Sequence, residues 1–141
     1  MRILKMTLMF CCLMLIAVAA SAADYNYISS ADLKTKIEAQ TPLHVLDIQV
    51  EEEFNAHHLS GALKTTAYPV KSDADRAKLE AILGTLQGDS APIAIICPKG
   101  RGGAERSYDY LLGRGIDRSR LFILAGGQGG WPYPALLKQG S

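Results

Sequence analysis

Beyond residue 23 the chain alternates short apolar runs with stretches in which apolar residues recur every three or four positions. "LHVLDI" (43–48), "PIAIIC" (92–97) and "RLFILAGG" (120–127) are the apolar runs, and "YNYI" (25–28) is a shorter one. "PIAIIC" is β-branched and shows no alternation, as expected of a buried strand covered on both faces. The helical stretches lie between these runs. In "SSADLKTKIEAQ" Leu33 and Ile37 sit four apart on one face, Ser29 and Asp32 have capping-box spacing, and Pro42 lies beyond the end. "SDADRAKLEAILGTL" (72–86) sets Leu79, Ile82, Leu83 and Leu86 along one side, with aspartates in its first turn. "EEEFNAHHLSGAL" predicts a short acidic-started helix and a turn at Gly61. "GAERSYDYLLGRG" predicts a helix stopped by Gly113 and Gly115, and "WPYPALLKQ" a last short helix. Strands alternating with helices predict an α/β sandwich around a mostly parallel sheet.

The first 22 residues are of another kind. "MRILK" carries two cations, "MTLMFCCLMLIAVAA" is unbroken apolar sequence, and "ASAAD" ends it with small residues. That order is a secretory signal peptide, with cleavage after Ala22 or Ala23. The apolar run is shorter than the ~20 residues a membrane-spanning helix needs. Bulky Phe10 before Cys11 argues against a lipoprotein site. The reading is therefore a signal peptide at 1–22 and one domain at 23–141, periplasmic or secreted, with no stable membrane anchor after cleavage. Loss of Arg2 and Lys5 takes the basic residues from 15 to 13 against 14 acidic ones, a net charge near −1. No basic face is implied, so nucleic acid is a poor candidate partner.

Of three cysteines, Cys11 and Cys12 leave with the signal and Cys97 stands alone. It closes the "PIAIIC" strand just before "PKGRGG". A free cysteine at that place is either a small core hydrophobe or a nucleophile. Three features favour the nucleophile. Gly100, Gly102 and Gly103 let the backbone curl so that successive N–H groups face one concavity. The following helix presents its positive N-terminal end there. Lys99 and Arg101 add two cations, and all three features favour the thiolate. The loop is not a nucleotide P-loop, since no Gly-Lys-Ser/Thr follows at the required spacing. "GGQGGW" (126–131) lacks the dinucleotide fingerprint and its place in the chain.

Cys97 with "CPKGRGGAERSYDYLLGRG", then "LFILAGGQGGW", and upstream "VLDI", "EEF" and "HHLSGA" together resemble a single-domain rhodanese, the sulfurtransferase family, over residues 27–131. The resemblance implies a rhodanese-like α/β sandwich with a five-stranded, mostly parallel sheet and helices on both faces. It implies that Cys97 is catalytic and carries a sulfane sulfur as a persulfide. Lys99, Gly100, Arg101, Gly102 and Gly103 would bind the donor. Asp47 would anchor the active loop by accepting N–H bonds, and His58 would be a structural contact. Lys99 stands where members that act on thiosulfate often carry a cation. The implied partners are a small anionic sulfur donor and a thiol, cyanide or protein-cysteine acceptor, with no metal and no organic cofactor.

Two positions depart from the family pattern. Gln49 stands where Asp-x-Arg members carry arginine. Gly103 stands where serine, threonine or alanine is common, and is expected to loosen the loop. A cysteine phosphatase or arsenate reductase would need arginine at that sixth position after Cys97. A non-catalytic rhodanese-like module that binds a sulfur carrier or partner protein is the alternative. Adjacent His57 and His58 do not converge as metal ligands. Trp131 reads as a core or rim residue.

Overall fold

The computed structural model describes residues 24–141; the expected signal peptide lies outside them. The strands are β1 (Tyr27–Ile28), β2 (His44–Asp47), β3 (His58–Leu59), β4 (Leu63–Lys64), β5 (Ile93–Ile96), β6 (Leu121–Leu124) and β7 (Leu137–Lys138). The helices are α1 (Ser30–Glu38), α2 (Glu51–Ala56), α3 (Asp73–Gln87) and α4 (Gly102–Gly113). Five strands form one sheet in the order β1-β6-β5-β2-β4, with every pairing parallel. Among the described residues no helix is long and apolar enough to cross a membrane.

The unbroken apolar runs are explained by burial on both sides. Ile93 and Ile95 of β5 point to one core, with Leu79, Leu83 and Leu86 of α3 and Tyr108 and Leu111 of α4. Ala94 and Ile96 point to the other, with Leu33 of α1, Leu59 and Trp131. All four β5 residues are fully buried. Cys97, one residue past the strand, turns its side chain into the α3/α4 core. A parallel sheet brings the carboxyl ends of β2, β5 and β6 to one edge, where ligands of open α/β sheets bind.

Local signals and structure part in two places. At α1 the Ser29 side chain accepts the Asp32 N–H at 3.1 Å, one half of the expected box; the full reciprocal box belongs to Ser72 and Asp75 at α3. "WPYPALLKQ" does not form an α-helix. Pro132 and Pro134 allow only a single 3-10 turn at Pro134–Leu136, and β7 then pairs antiparallel with β3. That pairing ties the C-terminal segment to the "HHLSGA" turn, a long-range contact with no local signature.

Ser72→Ala removes the hydroxyl that accepts the Asp75 N–H at 3.1 Å, one half of the box at the start of α3. It is expected to cost about 1 kcal/mol, read as a lower urea midpoint with an unchanged slope.

Candidate active site

The site is built on the loop between β5 and α4. Cys97 is 2 % exposed, and the Gly100 N–H donates to its Sγ at 3.0 Å. Gly100 has φ +67, the left-handed conformation that brings its N–H round to the sulfur. The N–H groups of Lys99, Arg101, Gly102 and Gly103 have no hydrogen-bond partner among the described residues. Donors without acceptors at the start of a 12-residue helix are groups that can hold an anion. Above Cys97 lies a pocket of about 210 Å³, lined by Tyr68, Lys99, Arg101, Gly102 and Gly103 as well. Lys99 and Arg101 are exposed, and neither makes an ion pair among the described residues.

The loop is held from behind by the glycine turn that follows β6. The Gln128 N–H donates to the Cys97 carbonyl at 2.8 Å and the Gly129 N–H to the Pro98 carbonyl at 3.0 Å. The contact is backbone against backbone. A Cβ on Gly127 would stand 2.4 Å from the Cys97 carbonyl oxygen and 2.5 Å from the Gly100 nitrogen, at φ +61. A Cβ on Gly100 would stand 2.6 Å from the Leu124 carbonyl oxygen. "GGQGGW" carries no nucleotide fingerprint, and its role here is to seat the Cys97 loop.

Every residue the sequence singled out in the loop reaches this place, while the two supporting residues act elsewhere. The Asp47 carboxylate makes no hydrogen bond to residues 97–103. It accepts the Gln49 N–H at 2.8 Å and the Gln49 Nε2–H at 3.0 Å, so it anchors its own strand end instead of the active loop. The reason is register. Asp47 pairs with Ile96 across the sheet, and the link to β5 is the Ile48 N–H to the Ile96 carbonyl at 2.9 Å. Gln49 also donates to the His57 carbonyl and fills the corner where an arginine was missed. His58 donates from Nδ1 to the Phe54 carbonyl at 2.9 Å and stacks on the Phe54 ring, a structural contact. Trp131 is buried in the opposite core and lines no part of the Cys97 pocket. Tyr68 is the site residue that sequence reasoning missed; an aromatic in an irregular segment gives no local signal.

A second, wider cleft of about 380 Å³ lies beside Pro98, lined by Gln49, Glu53, Ala56, His57, Gln128, Gly129 and Leu137. No group of three or more metal-ligating side chains occurs among the described residues.

The family model for the rhodanese-like domain matches residues 29–132. The chain belongs to the rhodanese-like family. No curated protein matches the sequence. Among solved structures it is similar to a yeast protein tyrosine phosphatase of the rhodanese family. That match has 18 % identity and a TM-score of 0.63, and covers 86 % of this chain and 96 % of the yeast one. It is similar to a thiosulfate sulfurtransferase from Pseudomonas aeruginosa, at 18 % identity and TM-score 0.62. There 83 % of this chain aligns with 21 % of the other, so this rhodanese-like domain spans about a fifth of that protein. It is also similar to an As/Sb reductase from Leishmania major, at 15 % identity and TM-score 0.63 over 82 % and 86 % of the two chains. At these identities the likeness is one of fold.

Burial raises the Asp47 pKa from 3.8 to about 6, against the two Gln49 hydrogen bonds and the His58 charge, which pull it down. The native state therefore holds this proton more tightly than the unfolded chain. The stability it contributes is whole below pH 3.8 and is lost as pH rises through about 6. The stability of wild type relative to Asp47→Asn should fall by on the order of 2–3 kcal/mol from about pH 3.5 to about pH 7.5, in urea titrations at both ends.

Gly127→Ala should destabilise by on the order of 2 kcal/mol or more and expose Cys97 to thiol reagents. Gly113→Ala, whose Cβ meets nothing within 4 Å, should be neutral or slightly stabilising in the same assay.

Proposed function

We propose that this rhodanese-like protein is a sulfurtransferase that takes a sulfane sulfur from thiosulfate or a similar anionic donor through a Cys97 persulfide. The observation that carries the reading is the conjunction at Cys97. One nearly buried sulfur accepts a backbone N–H, lies in a loop whose other N–H groups have no partner among the described residues, and shares a small pocket with two exposed cations. The pocket has a volume of about 210 Å³. It lies below the ~300–1,000 Å³ of sites for drug-sized ligands, as suits an inorganic anion.

In the first step the Cys97 thiolate forms a bond to the outer sulfur of thiosulfate. The bond between the two donor sulfurs breaks, and sulfite leaves with the electron pair. The loop donors stabilise charge on the arriving anion, on the departing sulfite and on the persulfide. In the second step a thiol, cyanide or protein cysteine attacks the outer sulfur of the persulfide and regenerates the Cys97 thiolate. The chemistry needs neither metal nor organic cofactor. The protein is exported, with the first 22 residues removed, and the 2 % exposure of Cys97 shields its sulfur from oxidation.

Phosphatase or arsenate-reductase chemistry is disfavoured at this site because position 103, the sixth after the cysteine, has no side chain to clamp three oxygens. Arg106, three residues on, donates its Nε–H to the Pro69 carbonyl at 2.9 Å instead.

Intact-protein mass spectrometry after brief thiosulfate treatment, beside Cys97→Ser, tests the proposal. A gain of one sulfur in wild type alone, discharged by cyanide, is the expected result. No gain from thiosulfate, mercaptopyruvate or polysulfide would overturn it. A partner complex that survived Cys97→Ser would then favour the non-catalytic binding module.

A further inference from the structure

Tyr68 stands at the mouth of the Cys97 pocket although it lies 29 positions before the cysteine. It is one of three large apolar residues left exposed among those described, at 37 %. Its ring occupies the space that a side chain at position 103 would take. A Cβ on Gly103 would stand 2.7 Å from Tyr68 Cδ2 and 2.8 Å from Cε2, closer than such contacts occur. Gly103 is itself buried within α4. The glycine expected to loosen the loop is instead the seat of an aromatic ring.

The backbone that carries the ring is held at several points. The Tyr68 N–H donates to the Ile48 carbonyl at 2.8 Å, and the next carbonyl, Pro69, accepts from Arg106 of α4 at 2.9 Å. Lys78 of α3 donates to the Thr66 carbonyl at 2.9 Å, and the Val70 N–H closes a turn on Ala67. Thr66 and Val70, on either side, have φ +56 and +60. Left-handed backbone at β-branched residues costs energy and persists only where the surroundings enforce it. Such backbone on both sides of one exposed aromatic places the constraint at Tyr68.

We infer that Tyr68 is a specificity-determining residue: seated on Gly103, its ring walls the Cys97 pocket so that only sulfur donors with a small anionic head reach the sulfur. The inference rests on the sulfur-transfer reading of the same site and adds its size limit. The discriminating donors are thiosulfonates, R–SO2–S⁻. The Cys97 thiolate bonds to their outer sulfur, the sulfur–sulfur bond breaks, and the sulfinate R–SO2⁻ leaves with the electron pair. Methanethiosulfonate fits beside the ring, whereas benzenethiosulfonate needs the space the ring fills.

Persulfide loading by the two donors should be timed by intact mass in wild type, Tyr68→Ala, Gly103→Ala and the double variant, after a thermal melt of each. In Tyr68→Ala the ratio of benzene-donor to methane-donor rate is expected to rise about tenfold or more. Gly103→Ala should lower the melting temperature in wild type and much less in Tyr68→Ala, where the added methyl meets no ring. The same four proteins are labelled at Cys97 with methyl methanethiosulfonate and with 5,5′-dithiobis(2-nitrobenzoate), a size test that needs no sulfur transfer. A benzene-to-methane ratio unchanged within twofold in Tyr68→Ala, with loading intact, would overturn the inference and leave the function standing. Loading absent from every donor would overturn the function, and an aryl-to-methyl labelling ratio that still rises in Tyr68→Ala would support the wall. A labelling ratio that stays fixed would sink both.

Discussion

The site depends on a backbone interlock between two loops, one of them carrying a single 3-10 turn at Gln128–Gly130. The turn after β6 closes on the loop after β5 at distances that only glycine permits, through Gly127 on one side and Gly100 on the other. The consequence reaches the chemistry through the planarity of the peptide. Gly129 holds the Pro98 carbonyl, and in a trans peptide the N–H that shares that plane, of Lys99, points the opposite way. Bonding the Pro98 carbonyl behind turns the Lys99 amide forward. Pro98 fits the same geometry, since the peptide whose carbonyl is given to Gln128 has no N–H at all.

A second constraint comes from the strand beside β5. Asp47 is fully buried with no cation in contact, and two hydrogen bonds from Gln49 offset only part of the desolvation cost. What it secures is the geometry of residues 47–49. The Ile48 carbonyl then receives Tyr68, and the Asp47 carbonyl receives both the N–H and the hydroxyl of Thr65. The segment bearing Tyr68 is thus hung from the end of β2, and β2 is paired along its length with the strand that carries Cys97. Two elements of the pocket far apart in sequence are registered through one strand pair.

This division explains what was legible in the chain. The parallel strands β1, β2, β5 and β6 and the helices α1, α3 and α4 could be read because burial on two faces or one leaves a pattern within a few residues, whereas the two-residue β4 leaves none. Cys97 and its glycines could be read because strand, turn and helix start are adjacent in sequence. Tyr68 could not, since its position follows from Ile48, Arg106 and the missing side chain at 103, none of which is local to it. The same holds for β7, which exists only because β3 is there to pair with. Gly127 and Gly129 of "GGQGGW" meet backbone of residues 97–100, far earlier in the chain, a contact with no local pattern. Gln49 was read as an absence, whereas in the fold it is the buried partner of Asp47.

The relative weights of the charges at Cys97 follow from where they sit. Lys99 and Arg101 are exposed, and in water two unit charges 4 Å apart interact by about 1 kcal/mol, less once salt screens them. The sulfur is 2 % exposed, where the effective dielectric is lower and a fixed dipole acts with severalfold greater effect. Side-chain cations must also give up rotamer freedom to reach an anion, at a cost the backbone amides do not meet. For an anionic donor the cations would therefore act at the mouth, and the amides at the sulfur. On the proposed function, charge selectivity would lie mainly in the backbone and size selectivity in the neighbouring Tyr68, while the exposed Lys99 and Arg101 stay at the rim.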